Sequence, residues 1–364
     1  MPPAFRTILL KWTIEIEIVD IPARSPSRTI LLKCQDFVID SSLTLTENFI
    51  AVFTINLNLE ELEMTNGRRT VTIFALALCF AVLAIGVNAQ ATRTWVSGVG
   101  DDVNPCSRTA PCKTFAGAIS KTATNGEINC IDPGGFGAVT VTKSITIDCT
   151  EVSSSILASG VTGVIVNITN PADTLKTFRL RGVSINGAGT GLNGVRVLAA
   201  NSVFIEDVII DGFTQHGISV ETSTGLTKFV ISGATISNNL GNGFNTFIIG
   251  GASATLSVND SLFAVNNIGF NLSQSVKTTF QNSIITGNNT GVLVNFGELG
   301  MTNCQVSGNG VGVQAASGGV IRMFNNSVIG NTTGLTGSSL ISLGLNVIRG
   351  NSTNGTFTST EATQ

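Results

Sequence analysis

The chain has 364 residues with 20 Lys plus Arg against 23 Asp plus Glu, a net charge of −3, so it offers no basic field for nucleic acid. Forty glycines, no tyrosine and only 12% charged residues argue against two or three conventional domains. The abundance of Val, Ile, Thr, Ser and Asn suits many short strands joined by tight turns.

Residues 1–63 show no repeat, no clear cap signals and mixed charge, as in Glu60-Glu61-Leu62-Glu63. They read as a start-site artefact or disordered extension ahead of a natural start at Met64. From there Arg68 and Arg69 precede an uncharged apolar run, Val71 to Val87, that ends in Val87-Asn88-Ala89. A basic region, an apolar core and small residues three and one before an Ala89/Gln90 cut make residues 64–89 a predicted secretory signal peptide. The same run reaches the span minimum of about 17 residues, so an uncleaved anchor is the alternative and the only membrane contact expected. The mature chain is then secreted, extracellular or at the cell surface. It carries 13 basic and 14 acidic residues, 13 − 14 = −1.

Cys34 and Cys79 fall outside this mature chain, while Cys106, Cys112, Cys130 and Cys149 cluster at its beginning in an oxidising compartment. Cys106 and Cys112 are spaced to close a small loop and Cys130 to reach Cys149 on a neighbouring turn, although all three pairings of four cysteines stay open. Cys304 is left as a buried core thiol. Within residues 90–126, Thr114 to Ile119 fits a short amphipathic helix with Phe115, Ala118, Ile119 and Thr122 on one face. Such a helix would cap the exposed strand edges of a stack.

Within residues 127–357, from about residue 180 onward, a repeat recurs: a polar turn rich in Asn, then Gly followed by an alternating apolar strand. Gly194, Gly217, Gly243, Gly269, Gly291, Gly312, Gly334 and Gly355 occupy equivalent places at separations of 23, 26, 26, 22, 21, 22 and 21 residues. A period this short has no room for a crossover helix, so each repeat is one coil of three short strands. Upstream turns at Asn238-Asn239, Asn266-Asn267, Asn288-Asn289, Asn309, Asn331 and Asn351 suit left-handed backbone and coil-to-coil bonding. The expected fold is therefore all-β, a single-stranded parallel β-helix with a short N-terminal cap helix, followed by a tail at 358–364.

The entry segments Arg93-Thr94-Trp95-Val96-Ser97, Asp101-Asp102, Asn104-Pro105-Cys106, Pro111-Cys112-Lys113-Thr114-Phe115 and Asp132-Pro133-Gly134 resemble those of secreted pectin-lyase-like β-helix proteins. The resemblance spans residues 92 to about 355 and implies a right-handed coil. It leaves activity open, because that superfamily includes polysaccharide lyases, glycoside hydrolases, adhesins and proteins without known chemistry.

The candidate chemistry gathers within about one coil: Glu206, Asp207, Asp211, the chain's single His at 216, and Glu221. Asp207 and Asp211 would serve as an acid and base on a glycosidic bond if they shared one groove, with His216 beside them and Glu206 and Glu221 as substrate contacts. Polygalacturonase-like enzymes place an Asn-Thr-Asp motif, an Asp pair, Gly-His-Gly and Arg-x-Lys on successive coils. This chain offers Gln215-His216-Gly217 and lacks the other three. Asp101, Asp102 and Asn104 form an oxygen-rich loop able to hold Ca²⁺, but without a recognised ligand pattern, so no cofactor is expected. The leading expectation is a non-catalytic β-helix that binds a polysaccharide, a cell-envelope glycan or a partner chain. A polysaccharide lyase or glycoside hydrolase, and a structural coat or adhesin component, are the alternatives.

Overall fold

A computed structural model describes residues 90–222, 228–247, 254–273 and 276–362. The predicted signal peptide and the extension before it lie outside the described residues.

Alternating apolar residues cannot bury one strand alone, and here each strand pairs in parallel with the strand one coil away. Ser202–Glu206 lies between Thr177–Arg181 and Lys228–Ser232, residue for residue. This first face continues through Thr255–Asn259 and Lys277–Gln281 into residues 298–302 and 320–324. A second face runs from Ser154–Leu157 through residues 184–186 and 209–211 to Thr235–Ser237, Leu262–Ala264 and Ile284–Thr286. A third carries Val139–Val141, Val164–Asn167, residues 195–197 and 218–220, Phe244–Thr246 and Ile268–Leu272. The product is a right-handed parallel β-helix with three short strands per coil.

Inward residues of the three faces meet in one continuous core. Phe229, Phe244, Phe263, Phe270 and Phe280 are all at most 1% exposed, and the Phe244 and Phe270 rings stack at 4.8 Å. Each such ring contributes roughly 1.5–3 kcal/mol by burial.

The repeated glycines are required by close approach. A Cβ on Gly243, Gly269 or Gly312 would lie 2.7 Å from the carbonyl oxygen of the glycine one coil on, with the neighbouring Asn amide at 2.9 to 3.1 Å. That amide belongs to a buried ladder in which Asn239, Asn266, Asn288, Asn309 and Asn331 each donate Nδ2 to the Oδ1 of the next Asn, at 2.8 to 3.2 Å. The same oxygens accept the backbone N–H of the preceding Asn. The row starts one coil earlier than the sequence pattern suggests, because a Cβ on Gly163 would meet the Gly194 carbonyl at 2.8 Å. It also ends one residue earlier. Asn354, not Gly355, supplies the last carbonyl in the row, since among the described residues no further coil lies against its Cβ.

At the N-terminal end, helix α1 (Phe115–Lys121) buries Phe115, Ala118 and Ile119, as its pattern predicts. The Thr114 hydroxyl accepts the Gly117 N–H at 2.9 Å, an N-cap. The stack, however, begins before this helix: Ala91–Val96 pairs with Thr122–Cys130 and extends the first face into the region expected to be cap alone. Disulfides join Cys106 to Cys112 and Cys130 to Cys149, with Cα atoms 4.7 and 5.0 Å apart. Cys304 is a buried free thiol whose pKa is pushed up by burial to about 11. The segment expected to be a tail also returns to the stack, since Ser359–Thr360 pairs with Ile341 and Ser342.

Candidate functional site

The five carboxylate and imidazole candidates do not converge. Glu206 points outward from the first face, where Arg179 bonds one oxygen and Arg181 Nε stands 3.0 Å from the other. Arg181 in turn meets Asp148 at 2.7 Å, so the upstream half of this face is a closed ionic row. Asp207 follows at the corner between the first and second faces with φ of 52°, a left-handed position that Asp260, Asn282, Asn303 and Asn325 hold in later coils. Asp211 ends a second-face strand and accepts from Asn186 Nδ2 at 3.0 Å. Five residues of chain thus carry the carboxylates from one face, round a corner, to another.

His216 and Glu221 do come together, near the third face. Glu221 takes a two-point contact from Arg196, Nε at 3.0 Å and Nη2 at 2.6 Å, and the Ser219 hydroxyl at 2.8 Å. These bonds, led by Arg196, hold its carboxyl below the ordinary value. His216 Nδ1 accepts the Asn242 backbone N–H at 3.0 Å, which places the neutral ring's proton on Nε2. The backbone thus occupies the ring's acceptor nitrogen. Burial lowers its pKa, partly opposed by the Glu221 charge. Stability from this group is therefore full above the unfolded value near 6.5 and is lost as pH falls from there toward the lower folded value. We expect the melting temperature to fall between pH 7 and 5 in wild type and to stay flatter in His216→Gln. An equal slope in the variant would exclude His216 as the cause. The lowered carboxyls of Asp102, Asp132, Asp173 and Glu221 act below this window, because their unfolded values lie at 4.5 or less.

The oxygen-rich loop serves the cap. Asp102 accepts the Lys113 and Thr114 N–H groups and the Thr114 hydroxyl at 2.7 to 2.9 Å. Burial raises its pKa, but these bonds and the Lys121 charge outweigh that and leave it lowered. Asp101 accepts the Val103 N–H, and the Asn104 amide donates to the Pro111 carbonyl. Among the described residues, no three His, Cys, Asp or Glu side chains are grouped to hold a metal.

A different constellation lies on the downstream half of the first face. A trough of about 560 Å³ is lined by Phe204, Val230, Ser257, Thr279 and Gly300, one residue per coil in a single outward row. A parallel outward row supplies Lys228, Thr255, Lys277 and Glu298 along one side. Arg179 lies over the Phe204 ring at 4.3 Å, and Arg322 closes the other end, 3.7 Å from Glu298 and 3.3 Å from Glu361. Lys228 and Lys277 are exposed and have no ion-pair partner among the described residues. Volumes of this order suit a small ligand fragment.

No protein-family profile matches the chain, and no curated protein matches it. Among solved structures it is similar to the pectate lyase Pel9A, with 14% identity over 76% of this chain and 80% of that one at a TM-score of 0.41. The A-module of the mannuronan C-5 epimerase AlgE4 from Azotobacter vinelandii also gives 14% identity and a TM-score of 0.41, over 66% of this chain and 91% of that module. A rhamnogalacturonan lyase gives 11% identity, 69% and 72% coverage and a TM-score of 0.35. The likeness is one of architecture.

Sequence reasoning passed over the trough. Its signal is the placement of Lys228 and Lys277 at the first residue of equivalent strands, which shows only after the coils are set in register.

Proposed function

We propose that this chain is an exported β-helix that binds a polysaccharide along the trough of its first face without cleaving it. The carrying observation is the pair of lysines, Lys228 and Lys277, without an ion-pair partner among the described residues, beside an apolar-floored groove that runs along the stacking axis. A linear polymer matches that shape, since the groove repeats by coil at about 4.8 Å per step. The two disulfides suit an oxidising compartment. Glycosidic hydrolysis needs two carboxyls free to face one bond, whereas the carboxylates at the trough's end among the described residues, Glu298 and Glu361, both stand against Arg322. Likeness of fold does not transfer chemistry.

Residues 90–364, purified and incubated with pectin, alginate and chondroitin, should co-sediment with at least one polymer and release no unsaturated or reducing ends. Cleavage that disappears in Asp211→Ala would establish an enzyme instead. Self-association with no polymer retained would favour a coat or adhesin component.

A further inference from the structure

The cations along the first face are not randomly placed. In the pairing register, the coil of Thr177–Arg181 is followed by those of Ser202–Glu206, Lys228–Ser232, Thr255–Asn259 and Lys277–Gln281, then by residues 298–302 and 320–324. Arg179, Lys228, Lys277 and Arg322 fall on the first, third, fifth and seventh of these. The intervening coils carry no cation: they present Ser202, Phe204 and Glu206, then Thr255, Ser257 and Asn259, then Glu298, Gly300 and Thr302. Two strand spacings put successive cations about 9.6 Å apart along the axis, and the whole series covers about 29 Å. Lys228 and Lys277 share one outward row, while Arg179 and Arg322 stand in the next.

We infer that the groove reads a linear acidic polysaccharide by one carboxylate per disaccharide, each second sugar setting its acid group against a cation and the sugar between lying over a coil that carries no cation. This rests on the polysaccharide reading above and adds a charge and a repeat length to it. The step of two coils is close to the length of one disaccharide in an extended chain. The central coil between the lysines favours that register, because Thr255, Ser257 and Asn259 leave the intervening sugar's hydroxyls without a competing charge. The two central lysines supply the free charge. The outer arginines keep partners of their own: Arg179 holds Glu206 and the Phe204 ring, and Arg322 is shared between Glu298 and Glu361. An incoming carboxylate at Arg322 competes with two protein carboxylates, so binding is anchored at the centre and weaker at the ends.

Affinity electrophoresis of residues 90–364 tests this, with hyaluronan, polygalacturonate, neutral hydroxyethyl cellulose and single-stranded DNA as probes. We expect retention by hyaluronan, none by the neutral polymer, and weakening as salt is raised. Lys228→Gln and Lys277→Gln should each weaken retention about threefold to fivefold and together tenfold or more, as expected for exposed charges. The deciding variant is Thr255→Lys combined with Lys277→Thr, which keeps net charge but halves the cation spacing. It should bind no better than Lys277→Gln, with an unchanged melting temperature showing that the fold is kept. Wild-type affinity in that variant, or DNA retained as strongly as hyaluronan, overturns the spacing inference while leaving polysaccharide binding intact. Retention of the neutral polymer alone overturns the charge requirement in the same way. Retention by none of the probes removes both readings together.

Discussion

Asn288→Ala is expected to destabilise the folded chain by about 3–5 kcal/mol, because it leaves several buried polar groups short of partners at once. Asn288 Oδ1 accepts both the backbone N–H and the amide of Asn266, and its Nδ2 donates to Phe263 O, Thr286 O and Asn309 Oδ1, all at 2.8 to 3.2 Å. The side chain is 3% exposed, so water does not replace these bonds. Asn289, its chain neighbour, is exposed, and its side chain donates to the equally exposed ladder partner Asn267 Oδ1. Its replacement by Ala should cost under about 0.5 kcal/mol. Thermal melts of the two variants are a matched pair from one dipeptide. Equal melting temperatures would show that the ladder does not hold the coils in register.

The second large effect is expected at the joint between the cap and the coils. Cys130 ends the second strand of the first face and Cys149, 19 positions further along the sequence, follows the strand stacked on it. Loop closure of that length stabilises by about 3 kcal/mol, against about 2 for the six-residue loop of Cys106 and Cys112. The double variant Cys130→Ala/Cys149→Ala should therefore lower denaturant stability more than Cys106→Ala/Cys112→Ala. Hydrogen exchange should locate the loss in residues 91–149. A loss of the reverse order, or one spread evenly over the stack, would contradict this assignment.

Most of the architecture is legible in the sequence because one steric rule repeats. Wherever a coil's carbonyl approaches within 2.7 Å of a Cα substituent, only Gly fits, and the preceding buried Asn is fixed by the same contact. The repeat therefore declares itself without any knowledge of the faces. The ends are harder to read: Ala91–Val96 lies ahead of the cap helix, and Asn354 takes the last glycine's place, because an end coil meets a neighbour on one side only. The site is hardest of all. Glu206, Asp207 and Asp211 look like a cluster at a spacing of five residues, yet one coil turns a corner within that distance. Lys228 and Lys277 are far apart in sequence and two coils apart in space, and coils of unequal length hide their common row. Nearness in a solenoid follows register, and register depends on turn lengths that composition does not reveal.

The placement of the ligand can be measured on lysine reactivity itself. Residues 90–364 are labelled with an acetylating reagent in the presence and absence of hyaluronan, modification at each lysine is quantified by mass spectrometry, and the recovered polymer is sized. Polysaccharide binding along the first face predicts that Lys228 and Lys277 become protected while Lys113, at the capped end, is labelled as before, and that the polymer returns at full length. Uniform labelling of all three lysines, or a shortened polymer, would contradict it.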